Sequence, residues 1–295
     1  MAAAPAGQPN PRPAVQRSVM FDAPGRPRPM ARRLAIHNRV VHTLRTYFAD
    51  RGFHEVPVTA LADHPARTQL DGMIVSGFPK VWCESELIPV RGKREPRHLR
   101  GFKMMEAAAR DLSLDDLTDL QEDLLKAVAL DLGADLLGGR DVTRLDRMVQ
   151  ASHPRLTYRE ARRILAERGW DIPFGEPLHH EAECTLTRYC GNLPFMVTRL
   201  PATRQIQGAA ADPADREVTV SVEYILPYSG ITMEGGLRSG EPVRAGFSLG
   251  LGHLLQYLMG LGSVMDTLID PMDRLGRLIK PHPNDGPPSG GREDV

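Results

Sequence analysis

At 295 residues and 41% hydrophobic content, the chain can bury the core of one large or two small domains. Lysine plus arginine and aspartate plus glutamate both number 37. A long polyanion is bound by releasing its counterions to a cationic surface, so this balance gives no global support for binding DNA or transfer RNA. Three cysteines without a Cys-x-x-Cys pair point to a reducing cytoplasm, and no apolar run is long enough for a signal peptide or a membrane span.

Residues 1–30 are rich in proline, alanine and arginine without periodicity, which predicts a disordered arm; residues 279–295 read as a disordered tail, and residues 31–278 as one folded domain. Leu34, Val40, Val41, Leu44 and Phe48 fall on one helix face, either core or a dimer contact, with Gly52 as the stop. Arg91, Lys93, Arg94, Arg97, Arg100 and Lys103 form one dense basic segment, read either as a phosphate-binding loop or as a solvated one. Leu114, Leu117, Leu120, Leu124, Val128 and Leu132 mark a second amphipathic helix, with Ser113 as its N-cap and Gly133 as its stop. Tyr158 to Arg168 reads as a third helix ending at Gly169. His179 and His180 with Cys184 have a spacing that zinc accepts, but no second ligand pair follows, and a solvated turn is the expectation.

The strand signals lie further along. Val218, Val220, Val222, Tyr224 and Leu226 alternate as in a half-buried antiparallel strand, with Pro194 to Leu200 as its neighbour. Phe247 to Leu261 reads as a strand running into a buried helix. The class predicted is α+β, an antiparallel sheet flanked by helices.

Gly246-Phe247-Ser248-Leu249-Gly250-Leu251-Gly252-His253-Leu254 resembles the third signature motif of class II aminoacyl-tRNA synthetases of the aspartyl/asparaginyl type, Gly-Phe-Gly-Leu-Gly-Leu-Glu-Arg-Leu. Arg97-His98-Leu99-Arg100-Gly101-Phe102-Lys103-Met104-Met105-Glu106 resembles the second, and Arg33 to Leu61 the first. Tyr158 to Ala161, Asp171 to Glu176, Pro194 to Thr198 and Gly235-Gly236-Leu237-Arg238 follow in the family's order, so the resemblance spans most of the chain.

That resemblance implies an adenylate-forming core in which catalysis is positioning plus cationic stabilisation of phosphate charge. Arg97 and His98 are the catalytic candidates it gives. For a nucleotide it gives Arg91, Phe102, Glu223 and His253. The family's α-phosphate arginine falls at Pro89; Arg91, two residues on, either takes its place or is a surface charge. Phe102 is placed to stack on adenine or is a core aromatic. His253 stands where the family has arginine, as a weak substitute or a packed core residue. Of two acidic metal ligands, one is kept as Glu223 and the other has become Ile231, and a lone carboxylate holds Mg²⁺ poorly. Arg238 stands where the family reads the side-chain carboxylate or amide, with a surface salt bridge as the alternative, and Gln69 remains from a shortened loop over the amino acid.

The resemblance therefore predicts a stand-alone paralogue, related to synthetase-like asparagine synthetases, that condenses an aspartate-like acid with an amine in small-molecule or secondary metabolism. ATP and Mg²⁺ are its implied but doubtful cofactors, and a homodimer is its implied assembly. Transfer RNA is not an expected partner, because the family reads the anticodon with an N-terminal barrel where this chain has a proline-rich arm. The alternatives are a dimeric pseudoenzyme without ATP chemistry, or a nucleotide-independent reaction in the old amino-acid pocket.

Overall fold

The apolar stripe of the first helix, α1 (Met30–Asp50), is core. Ile36, Val40, Leu44 and Phe48 are fully buried, while Leu34, at the helix start, is 42% exposed. The stripe packs on α3 (Leu114–Asp131), where the Tyr47 hydroxyl donates to the Leu120 carbonyl at 3.1 Å. Gly52 takes φ +74°, a left-handed turn that only glycine adopts freely, and ends α1 as expected. The computed structural model describes residues 30–58, 66–87, 102–204, 208–240 and 242–269, with only the backbone of Met30 and Phe102. The expected tail, the arm before residue 30, and the basic segment as far as Arg100 lie outside the described residues.

Eight strands form one sheet. In chain order they are β1 (His54–Glu55), β2 (Lys80–Leu87), β3 (Phe102–Arg110), β4 (Arg155–Thr157), β5 (Phe195–Thr198), β6 (Ser221–Leu226), β7 (Gly230–Arg238) and β8 (Arg244–Gly250). Across the sheet the order is β1-β2-β3-β8-β7-β6-β5-β4. The six central strands are antiparallel, as expected; the short edge strands β1 and β4 pair in parallel, which makes the sheet mixed.

Strand alternation sends neighbouring residues to opposite faces, so adjacent rows across the sheet have different fates. The row Met105, Leu249, Met233, Tyr224 and Met196 points into the main core. That core is covered by α1, α3, α4 (Gly139–Gln150) and α7 (Leu251–Met259), and Phe48 stacks on Trp82 with ring centroids 5.1 Å apart. The row one residue over is Cys83, Glu106, Ser248, Glu234 and Glu223. It points to the opposite face. There α2 (Ala66–Val75) covers β2 and β3 through Leu70 and Ile74. At the other end α5 (Tyr158–Ala166) and α6 (His180–Tyr189) cover β5 and β6 through Ile164 and Leu186. A polar strip over β8 and β7 is left between them.

Covering both faces corrects the expected half-buried strand: every residue of β6 is buried. The residues before it, Val218 and Thr219, make only isolated bridges, to Pro201 and Ala211. The predicted caps hold: Ser113 accepts from the Asp116 amide, and Asp116 reciprocates. Gly169 follows α5 at φ +83°. His179 to Cys184 is not a turn but the start of α6, where His179 Nδ1 accepts from the Ala182 amide as the N-cap. Among the described residues no helix is long and apolar enough to cross a membrane.

Candidate active site

The polar strip brings together side chains far apart in sequence. On the α2 side, Arg67 bonds the Ser248 hydroxyl and lies 3.6 Å from Glu106, which also accepts from Ser85 Oγ at 2.9 Å. One turn on, Asp71 lies 3.6 Å from Arg238 Nε and 3.4 Å from Arg244 Nε. Gln69, half-buried, sits on the same helix between Arg67 and Asp71.

Arg238, the last residue of β7, is 7% exposed. Its terminal nitrogens Nη1 and Nη2 are both shielded from solvent and lack a hydrogen-bond partner among the described residues. Burial pulls this guanidinium down to about 10, and the charges of Arg67 and Arg244 act in the same direction against Asp71 and Glu106. A guanidinium held in that state is poised for an oxyanion, because leaving its donors unmade is costly.

At the β6 end, Glu223 is fully buried, and its Oε1 accepts from Arg204 Nη2 at 2.7 Å. Burial pushes its carboxyl up to about 7 against the pull of Arg204, with Glu234 and Glu183 pushing the same way. The expected metal role of Glu223 does not fit this arrangement: one oxygen is spent on a guanidinium, and the second ligand position is Ile231. Among the described residues no three His, Cys, Asp or Glu side chains form a group able to hold a metal ion. That statement covers His180 and Cys184 too, whose sulfur and ring nitrogens are 3.7 Å apart.

His253 does not join the strip. It lies in the first turn of α7, beside a cleft of about 280 Å³ that His180, Cys184, Ser229 and Gln256 help to line. Ser229 Oγ donates to the His253 carbonyl at 2.7 Å and lies 3.5 Å from its Nδ1. Phe102 opens β3 opposite Leu87; Arg91, Arg97 and His98 lie outside the described residues. The sequence reading missed Arg67, Asp71, Arg204 and Glu234. A hint of Glu234 was present, since it directly precedes Gly235 on the strand that ends in Arg238. Cys83 shares the row, but burial pushes its thiol up to about 12, which leaves no reactive thiolate near neutrality.

No family model matches the chain. Human asparaginyl-tRNA synthetase is 24% identical over 248 residues, covering 69% of this chain and 52% of that protein. The aspartate–tRNA(Asp/Asn) ligase of Archaeoglobus fulgidus is 23% identical over 294 residues, covering 81% and 67%. The chain thus spans about half the length of the first of these relatives. Among solved structures, asparaginyl-tRNA synthetase from Pyrococcus horikoshii complexed with asparaginyl-adenylate superimposes with TM-score 0.72 at 20% identity, covering 81% of this chain and 68% of that one. The Entamoeba histolytica asparaginyl-tRNA synthetase complex with asparaginyl-adenylate gives 0.71 at 17% identity, covering 81% of this chain. Sequence relatives and structural neighbours agree that the chain is built on the class II aminoacyl-tRNA synthetase catalytic core of the aspartyl/asparaginyl type.

Proposed function

We propose that this chain is an amide-type ligase of small-molecule metabolism that holds an aspartate-like acid at Arg238 and joins it to an amine. The observation that carries the reading is the Arg238 guanidinium, buried on the polar strip with both terminal nitrogens unpartnered. A planar pair of donors suits a planar pair of carboxylate or carboxamide oxygens. Arg67 adds a second cation on the same face, anchored by Ser248 and Glu106. The Glu234 carboxylate makes no hydrogen bond or ion pair with the described residues, and the residue is partly exposed, so it offers an acceptor for the amine. ATP, when bound, would supply activation of the carboxylate. The chain's own residues bind and orient the acid.

The test is a thermal-shift screen of aspartate, asparagine and their analogues against the wild type and Arg238→Lys. A ligand that stabilises the wild type is expected to lose its effect in the variant, because a point-charge ammonium cannot reproduce the two-pronged contact. A wild-type shift that survives the substitution removes the reading.

A second reading, an acid-binding subunit without ATP chemistry, is favoured by the pairing of Glu223 with Arg204. Release of AMP or pyrophosphate that depends on both acid and amine selects the ligase; acid binding with no release selects the subunit. Both readings include a homodimer. Since the apolar stripe of α1 is spent on α3, such a dimer must form through other surfaces. Light scattering is expected to give twice the 32.6 kDa chain mass, and a monomer at micromolar concentration excludes the dimer.

A further inference from the structure

Arg204 ends the short 3-10 turn Ala202–Arg204 and reaches Glu223 on the internal strand β6. The two side chains are 17% and 0% exposed. One contact joins them, Nη2 to Oε1, while Arg204 Nη1 and Glu223 Oε2 are both shielded from water without a hydrogen-bond partner among the described residues. Glu223 is not alone. Strand register sets Glu234 directly beside it, and Glu234 and Glu183 of α6 both act on its charge. Glu223 is therefore a buried carboxylate crowded by two others and paired with one guanidinium.

A divalent ion at this place needs several oxygens and open coordination positions. A guanidinium needs the same oxygens but presents a fixed planar fork of donors and brings its charge with the fold. One buried carboxylate oxygen cannot serve both. We propose that Arg204 is a built-in cation that takes the place of a divalent metal at Glu223, so that this end of the polar strip holds its buried carboxylate without a metal. The inference shares the strip with the acid-site reading, but its readout is metal binding alone, so either one can fail without the other.

Manganese(II) binding, followed by calorimetry and electron paramagnetic resonance, tests it. The wild type is expected to show no binding at this site. Arg204→Met, which removes the charge and keeps the bulk, is expected to gain a site at least about tenfold tighter than any in the wild type, because Glu223 is left without a counter-charge and Glu234 lies beside it in register. Arg204→Met/Glu223→Gln should lose that gain. Exposing a buried carboxylate to no counter-charge destabilises a protein, so melting is followed in parallel: Mn²⁺ should raise the melting temperature of Arg204→Met and leave the wild type unchanged. Wild-type Mn²⁺ binding that Glu223→Gln abolishes overturns the proposal. So does an Arg204→Met protein that neither binds Mn²⁺ nor recovers its fold in it.

Discussion

Replacing Arg238 by Met is expected to make the ligand-free protein more stable while removing its response to carboxylate ligands. Most substitutions of a buried residue destabilise, so the expected sign is unusual. It follows from the position of the guanidinium: 7% exposed, near the charges of Arg67 and Arg244, with two donors unpartnered. One pKa unit corresponds to about 1.4 kcal/mol, so a guanidinium pulled down to about 10 carries a folded-state penalty of about 3 kcal/mol at neutral pH. That figure already contains the pull of Asp71, 3.6 Å from Nε, and Asp71 keeps Arg244 at 3.4 Å when Arg238 is gone, while packing lost with the long side chain offsets part of the gain. The net expectation is a gain of about 1–3 kcal/mol, or roughly 2–4 °C in melting temperature per kcal/mol for a domain of this size. A less stable Arg238→Met would identify the residue as a structural ion-pair partner of Asp71. A more stable one that no longer binds an acid would identify a residue kept for recognition at the expense of the fold.

What could be read from the sequence was local. Ser113, three residues before Asp116, carries its own capping logic, and Gly52 and Gly169 announce the turns that follow α1 and α5. The alternating valines before Leu226 gave the strand and its antiparallel sense, because alternation is written residue by residue. Its burial on both faces was hidden, since that depends on α5 and α6 packing over β5 and β6. The start of α6 was hidden for a different reason: His179 is an unusual N-cap, and a His-His-x-x-x-Cys run draws attention as a ligand set before it does as a helix. For the site, the resemblance singled out Arg238, which ends β7. It could not find Arg67, which meets Ser248 across 181 positions of sequence, or Arg204, which pairs with Glu223. These contacts exist only through strand register and helix placement, and single-sequence patterns carry no record of either.

Gly235→Ala is expected to cost at least about 3 kcal/mol and to weaken acid binding with it, at the upper end of what overpacking a core does. Gly235 and Gly236 both lie where other atoms approach the backbone closely. The structure gives each glycine a different neighbour: a Cβ on Gly236 would meet Ala209 Cβ at 2.9 Å, whereas one on Gly235 would lie 2.6 Å from the Gly246 carbonyl oxygen and 2.7 Å from Phe247 Cβ. Those atoms belong to β8, in the middle of the sheet, and Phe247 is 1% exposed in the main core. No side-chain rotation relieves the contact, so β7 must move away from β8. That displacement carries Glu234 and Arg238, which alternate with Gly235 on the same strand. Gly139→Ala is the control, since a Cβ there meets nothing within 4 Å and the residue lies in the first turn of α4, where alanine is favoured over glycine; it should melt with the wild type or slightly above it. Melting and ligand titration read together distinguish the two glycine effects from that of Arg238. Gly235→Ala should lose stability and affinity in step, whereas Arg238→Met should lose affinity while gaining stability. A Gly235→Ala protein that melts like the wild type would mean that β7 and β8 are free to separate, and the polar strip would then lack the rigid floor on which Arg238 is held.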